Sequence, residues 1–134
     1  MTTPPTALVS GVDFVYLPTR NFAAAAEFYE NVLGLPCSVK YGRNPGGEFE
    51  TGNLTLQVLE AEAFGLEFHP APNPIALHVD DVEAARARLE AQGVEFHGET
   101  MDSGVCHMAF FADPDGNALM LHHRYAPKGV LPES

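Results

Sequence analysis

The side chains that could do chemistry are few and scattered. They are His69, His78, His107, His122 and His123, the thiols Cys37 and Cys106, and the run Asp113-Pro114-Asp115-Gly116-Asn117. Imidazoles are proton carriers and metal ligands near neutral pH, but no two of them have the spacing of a fixed catalytic dyad. Two cysteines make no disulfide framework, and in a reducing compartment they read as free, buried thiols. Asp113, Asp115 and Asn117 are spaced like a fragment of a calcium loop. Pro, Gly and Asx residues in this order more simply satisfy the backbone of a hairpin turn. Glu83, Arg86 and Glu90 lie near one another at helical spacing and read as modest surface pairs.

Composition narrows the field. A chain of 134 residues with 46% hydrophobic residues is long enough for one domain with a real core. Its net charge is -11, from 7 basic and 18 acidic residues. There is no basic stripe, so nucleic acid is excluded as a partner. The acidity reads mainly as a solvated surface, one that would also draw cationic ligands to a cleft. No apolar run approaches the roughly 20 residues needed to cross a bilayer. The first residues, MTTPPTALVSG, lack the basic and apolar regions of a secretory signal. The expectation is a cytoplasmic protein with no membrane contact.

The elements that would position these side chains come twice. In the first unit an apolar strand (12–17) leads to Asn21, a good N-cap, then to the Ala-rich helix FAAAAEFYENVL ending at Gly34. Strands at about 36–41, 46–51 and 54–60 follow. In the second unit a strand at 75–79 leads to Asp80 or Asp81 as cap. The helix VEAARARLEAQ then stops at Gly93. Strands at about 94–98, 104–111 and 117–123 complete it. Two copies of strand–helix–three strands imply an internal duplication and an α+β fold of two βαβββ half-barrels around a cavity. The first and second strands of each unit should run parallel. The expected division is one domain: an N-terminal arm (1–10), unit one (11–60), a linker (61–73), unit two (74–125) and a tail (126–134).

FYENVLGLP after an apolar strand, followed by ADPDGNALML near the C-terminus, resembles the vicinal oxygen chelate superfamily of glyoxalases, bleomycin-resistance proteins and dioxygenases. The resemblance covers about residues 11–125. In the enzymes of that superfamily, cavity-facing strand residues hold a divalent metal. Carried over residue by residue, the resemblance puts those positions at Phe14, Thr55 or Gln57, Pro74 and Met120. Zn²⁺, Fe²⁺ and Mn²⁺ want imidazole, carboxylate or thiolate. Phe and Pro offer no side-chain donor, and a thioether is a poor ligand for these ions. No metal and no cofactor are therefore expected.

Strand alternation extends the wall from those positions. Phe14 brings Tyr16; Pro74 brings Ala76 and His78; Met120 brings His122. The resemblance also turns Phe110 inward, with Met108 and Cys106. Leu54, Leu56 and Val58 should face the helix. His107 and His123 have the opposite parity. His69, Phe64 and Phe68 either cover the cavity mouth or pack on the domain edge. The expected ligand-binding set is Phe14, Tyr16, Gln57, His78, Met108, Phe110, Met120 and His122, suited to a planar, mostly apolar ligand. The resemblance implies a metal-independent binding protein that sequesters an aromatic antibiotic of bleomycin or enediyne type, as a homodimer exchanging strands or arms. Pro4 and Pro5 suit an extended arm, or a tail. The alternative is a metal-independent isomerase or lyase with His78 or His122 as general base and Tyr16 as proton donor or oxyanion partner.

Overall fold

The computed structural model describes residues 7–128; Pro4 and Pro5, on which the arm reading rests, lie outside them. Both expected units are present. In the first, β1 (Phe14–Thr19), α1 (Phe22–Glu27), β2 (Cys37–Lys40), β3 (Gly46–Glu50) and β4 (Thr55–Glu60) follow one another. In the second come β5 (Ile75–His78), α2 (Val82–Ala91), β6 (Phe96–Asp102), β7 (Cys106–Ala112) and β8 (Ala118–Arg124). The helix caps match across the duplication. Asn21 accepts from the Ala24 N–H at 3.2 Å, and Asp81, not Asp80, accepts from the Ala84 N–H at 3.0 Å. Gly34 (φ 76) and Gly93 (φ 91) end the two helical segments in the left-handed conformation that glycine adopts without strain.

Each unit forms a four-stranded sheet, in the orders β1-β4-β3-β2 and β5-β8-β7-β6. The first and second strands do run in the same direction, but they are not neighbours. β1 pairs parallel with β4, β5 pairs parallel with β8, and the remaining pairs are antiparallel. β1 and β5 are therefore edge strands. That position tolerates Pro18 inside β1, which has no N–H to donate. β1 lies two residues later than the apolar pattern suggested, because Val12 and Asp13 are exposed and unpaired. β6 also starts later. The Val94 N–H closes the end of α2 on the Leu89 carbonyl at 3.1 Å, so pairing begins only at Phe96.

The first helix is shorter than expected. It widens after Glu27 into a π-helical turn, Phe28–Val32, in which the Leu33 N–H reaches the Phe28 carbonyl at 2.9 Å. Phe28 and Tyr29 are adjacent in sequence and both buried. A regular α-helix would rotate them about 100° apart, and the wider turn lets both reach the core.

One core serves both units. Leu17, Tyr29, Phe49, Leu56 and Val58 of the first join Val82, Leu89, Ala109, Phe111, Leu119 and Leu121 of the second in a single buried cluster. As expected, Leu56 and Val58 are fully buried on the helix side of β4. The turn Asp113–Asn117 fastens the units together. Tyr29 donates its hydroxyl to Asp113 (2.7 Å), Asn117 Nδ2 donates to the Pro18 carbonyl (2.8 Å), and the Arg20 N–H donates to Asp115 (2.9 Å). The Asp113 carboxylate also accepts from the N–H groups of Asp115 and Asn117 and from Asn117 Nδ2. These aspartates thus complete a turn, as the turn reading required, and also bridge the duplication.

Candidate functional site

Each sheet turns one face to the shared core and the other away from it. The side chains on the two open faces follow from strand register, because directly paired residues share a face. On the second sheet, Ala76, Met120 and Phe110 form one row across β5, β8 and β7, and His97 of β6 continues it. The next row is His78, His122, Met108 and Met101. A third pairs Cys106 with Arg124, whose guanidinium Nη1 lies 3.8 Å from the thiol sulfur. Four of the eight residues singled out by sequence therefore meet on one surface, Met108, Phe110, Met120 and His122, and His78 holds the edge position of the same row as His122. Met108, Phe110, Met120 and His122 are half-buried there.

His78 stands somewhat apart. Its side chain is 68% exposed, its Nε2 lies 3.3 Å from Asp80, and its ring packs against His123. His107 and His123 pair with each other across β7 and β8 on the opposite parity. His107 approaches Asp102 at 3.4 Å, and His123 Nδ1 lies 3.2 Å from the Val79 carbonyl oxygen.

The first sheet presents a different surface. Phe14, Tyr16, Thr55 and Gln57 share its open face, as alternation required, but Glu48 and Glu50 of β3 stand beside them. Sequence reasoning had not assigned these glutamates. The signal was present in Glu48-Phe49-Glu50: with Phe49 fully buried, both neighbours must point the other way. Met101, His97 and Arg124 likewise lie outside the sequence-derived set and share the open face of the second sheet.

The face is tied together by polar contacts. Thr55 Oγ1 and Ser38 Oγ each donate to Glu50 at 2.6 Å, which holds its carboxyl below the usual range. Gln57 Nε2 donates to Tyr41 Oη at 3.1 Å, and Tyr41 donates to Glu48. Burial, then this bond to Glu48, raises the Tyr41 hydroxyl above its ordinary pKa. The Tyr16 hydroxyl is buried without a partner among the described residues, and burial raises it too. Phe14, at the start of the edge strand, is 53% exposed.

A divalent metal at the superfamily's positions does not fit these residues. Phe14 and Pro74 carry no donor, the Met120 thioether is a poor one for such ions and the Thr55 hydroxyl is committed to Glu50, which leaves a single neutral oxygen, that of the Gln57 carboxamide. Among the described residues, no three of His, Cys, Asp and Glu gather where they could hold an ion.

The two open faces both point away from the common core. A groove of about 850 Å³ lies elsewhere, between the units, lined by Leu33, Leu54, Ile75, Leu77 and Leu89. Of the sequence-derived site residues only His78 reaches it. Phe64, Phe68 and His69 do not line it. Phe68 instead carries the Arg20 guanidinium 4.2 Å from its ring centre, and His69 contacts Glu67 at 3.1 Å.

Two βαβββ units with open sheet faces define a vicinal oxygen chelate domain. Residues 11–121 match the model of the glyoxalase/bleomycin resistance protein/dioxygenase superfamily, and the chain belongs to it. Comparison with curated proteins gives no significant match. Solved structures share the fold. TnmS3, an antibiotic binding protein from Streptomyces sp. CB03234, has 23% identity and TM-score 0.74 over 89% of this chain and 99% of its own. A putative glyoxalase family protein from Bacillus anthracis has 20% identity and TM-score 0.75 over 90% and 99%. A glyoxalase/bleomycin resistance protein from Streptomyces sp. CB03234 has 24% identity and TM-score 0.68 over 85% and 100%. Among the described residues no helix is long and apolar enough to cross a membrane.

Proposed function

We propose that this protein is a metal-independent, cytoplasmic small-molecule-binding protein that sequesters an aromatic antibiotic. The observation that carries the reading is the open face of the second sheet, where Met108, Phe110, Met120 and His122 stand in two adjacent rows. Aromatic rings and thioethers stack on conjugated ligands and adapt to their outline, while an imidazole fixes orientation. A fold neighbour described as an antibiotic binding protein supports the reading.

The protein acts as a homodimer in this account. Among the described residues β1 and β5 each have an unpaired edge, and Leu8, Val9, Val12 and Phe14 are 100, 72, 66 and 53% exposed. Exposed apolar segments beside free edges are partner surfaces. A second copy would set the Tyr16/Glu48/Gln57 face of one protomer against the methionine face of the other and close the site.

A second reading, an isomerase or lyase, rests on the Tyr16 hydroxyl, which is buried with no partner among the described residues and could donate to a substrate oxygen. Titration calorimetry against bleomycin-type and enediyne-type compounds tests binding, with sedimentation to read the oligomer. A micromolar or tighter site in a dimer supports the proposal, and no binding across the panel overturns it. A compound returned chemically altered at catalytic rates establishes the enzyme instead.

A further inference from the structure

We propose that the open face of the second sheet also binds a soft monovalent metal ion, Cu(I) or Ag(I), through the thioethers of Met101 and Met108 and the imidazole of His122. Met101 is the register partner of Met108, and Met108 is the register partner of His122. The three donors therefore lie in one row across β6, β7 and β8. Directly opposed residues have Cβ atoms about 4.5–5.5 Å apart. The long, unbranched methionine chain can swing its sulfur across that gap. In a single protomer Met101 is 53% exposed, and Met108 and His122 are half-buried, so an ion can reach the row from solvent before a second copy covers the face.

The chemistry of the donors selects the ion. None of the three is a carboxylate or thiolate, and two are thioethers. Soft thioether ligands favour Cu(I), whereas Mg²⁺, Ca²⁺ and Mn²⁺ want carboxylates and carbonyls. The fourth residue of the row is His78, whose ring faces Asp80 and His123 instead. Arg124, in the adjacent row, places a fixed positive charge nearby, which penalises a divalent ion more than a monovalent one. The row is distinct from the superfamily positions, since Phe14, Thr55, Gln57 and Pro74 take no part. It shares Met108 and His122 with the proposed ligand face, so an aromatic ligand would compete with the ion, but the donors require no such ligand.

Cys37 and Cys106 would also take a soft ion, so the test uses the full chain carrying Cys37→Ser and Cys106→Ser. Anaerobic titration of Cu(I) against the coloured chelator bicinchoninate should show one ion withdrawn per chain. With Ag(I), methionine-methyl NMR should shift Met101 and Met108 most. Met108→Leu, which conserves volume, should weaken binding at least tenfold, and His122→Gln should do the same. No withdrawal of the ion, or unchanged affinity in both variants, overturns the proposal. Should the thiol-free chain not fold, the intact chain given Ag(I) in excess of its two thiols carries the same readout. An absent shift at Met101 and Met108 then overturns it.

Discussion

Replacing Asp113 with alanine should unfasten the two units. The Asp113 carboxylate is 5% exposed and accepts four hydrogen bonds, from Tyr29 Oη, Asn117 Nδ2 and the N–H groups of Asp115 and Asn117. Alanine leaves three buried donor hydrogens with no partner: the Tyr29 hydroxyl, the Asn117 backbone N–H and the Asn117 Nδ2 hydrogen that faced Asp113. The other Nδ2 hydrogen of Asn117 keeps the Pro18 carbonyl, and the Asp115 N–H is partly open to water. Each orphaned buried group costs about 1–3 kcal/mol. Removing a desolvated carboxylate returns part of this, so the net loss should be about 3 kcal/mol. With a urea slope of about 2 kcal/mol per molar, the denaturation midpoint falls by about 1.5 M at unchanged slope. Tyr29→Phe, which removes only one of the bonds and keeps the ring against Phe49, should cost about 1 kcal/mol. If Asp113→Ala shifts stability by less than about 0.5 kcal/mol, as an ordinary surface change would, the bridge is not what joins the units.

Burial holds the Asp113 carboxyl above its ordinary value, and the hydrogen bonds from Asn117 and Tyr29 only partly oppose this. A raised carboxyl contributes stability that is full below its unfolded pKa and is lost as pH rises through the folded one. The advantage of the native chain over Asp113→Asn should therefore be larger at pH 4 than at pH 7, as read by urea midpoints at both. Phe110→Ala and Phe14→Ala should each weaken binding of an aromatic antibiotic about tenfold or more, measured by calorimetry; unchanged affinity in both would displace the site from these faces. Gly47→Ala should cost about 1–3 kcal/mol by overpacking, because a Cβ there would lie 2.8 Å from the Val39 carbonyl oxygen and 2.9 Å from Phe22. A denaturation curve like that of the native chain would contradict it.

Much of the fold was legible because it repeats. Asn21 and Asp81, Gly34 and Gly93 carry local physics, capping and left-handed termination, that needs no tertiary context. Strand alternation put all eight site residues on one wall, whereas the structure divides them: Met108, Phe110, Met120 and His122 lie on the open face of the second sheet with His78 at its edge, and Phe14, Tyr16 and Gln57 lie on the open face of the first. Which strands would be neighbours was not legible. β1 beside β4, and β5 beside β8, depend on contacts across the whole unit. For the same reason Glu48 and Glu50 went unassigned: period two gives a strand's faces, but only sheet order shows that β3 puts them beside Gln57 and Thr55. The position of the groove between the units depends on packing of the two units through one core, which no local pattern encodes.

Three of the four methionines, Met101, Met108 and Met120, stand on the face assigned to the ligand. Methyl NMR of a methionine-labelled sample titrated with a bound aromatic antibiotic therefore tests the central claim directly. Ring-current shifts at Met108 and Met120 should appear and saturate with the calorimetric stoichiometry. Saturable binding that leaves both methyls unmoved would contradict it, and would place the ligand off this face.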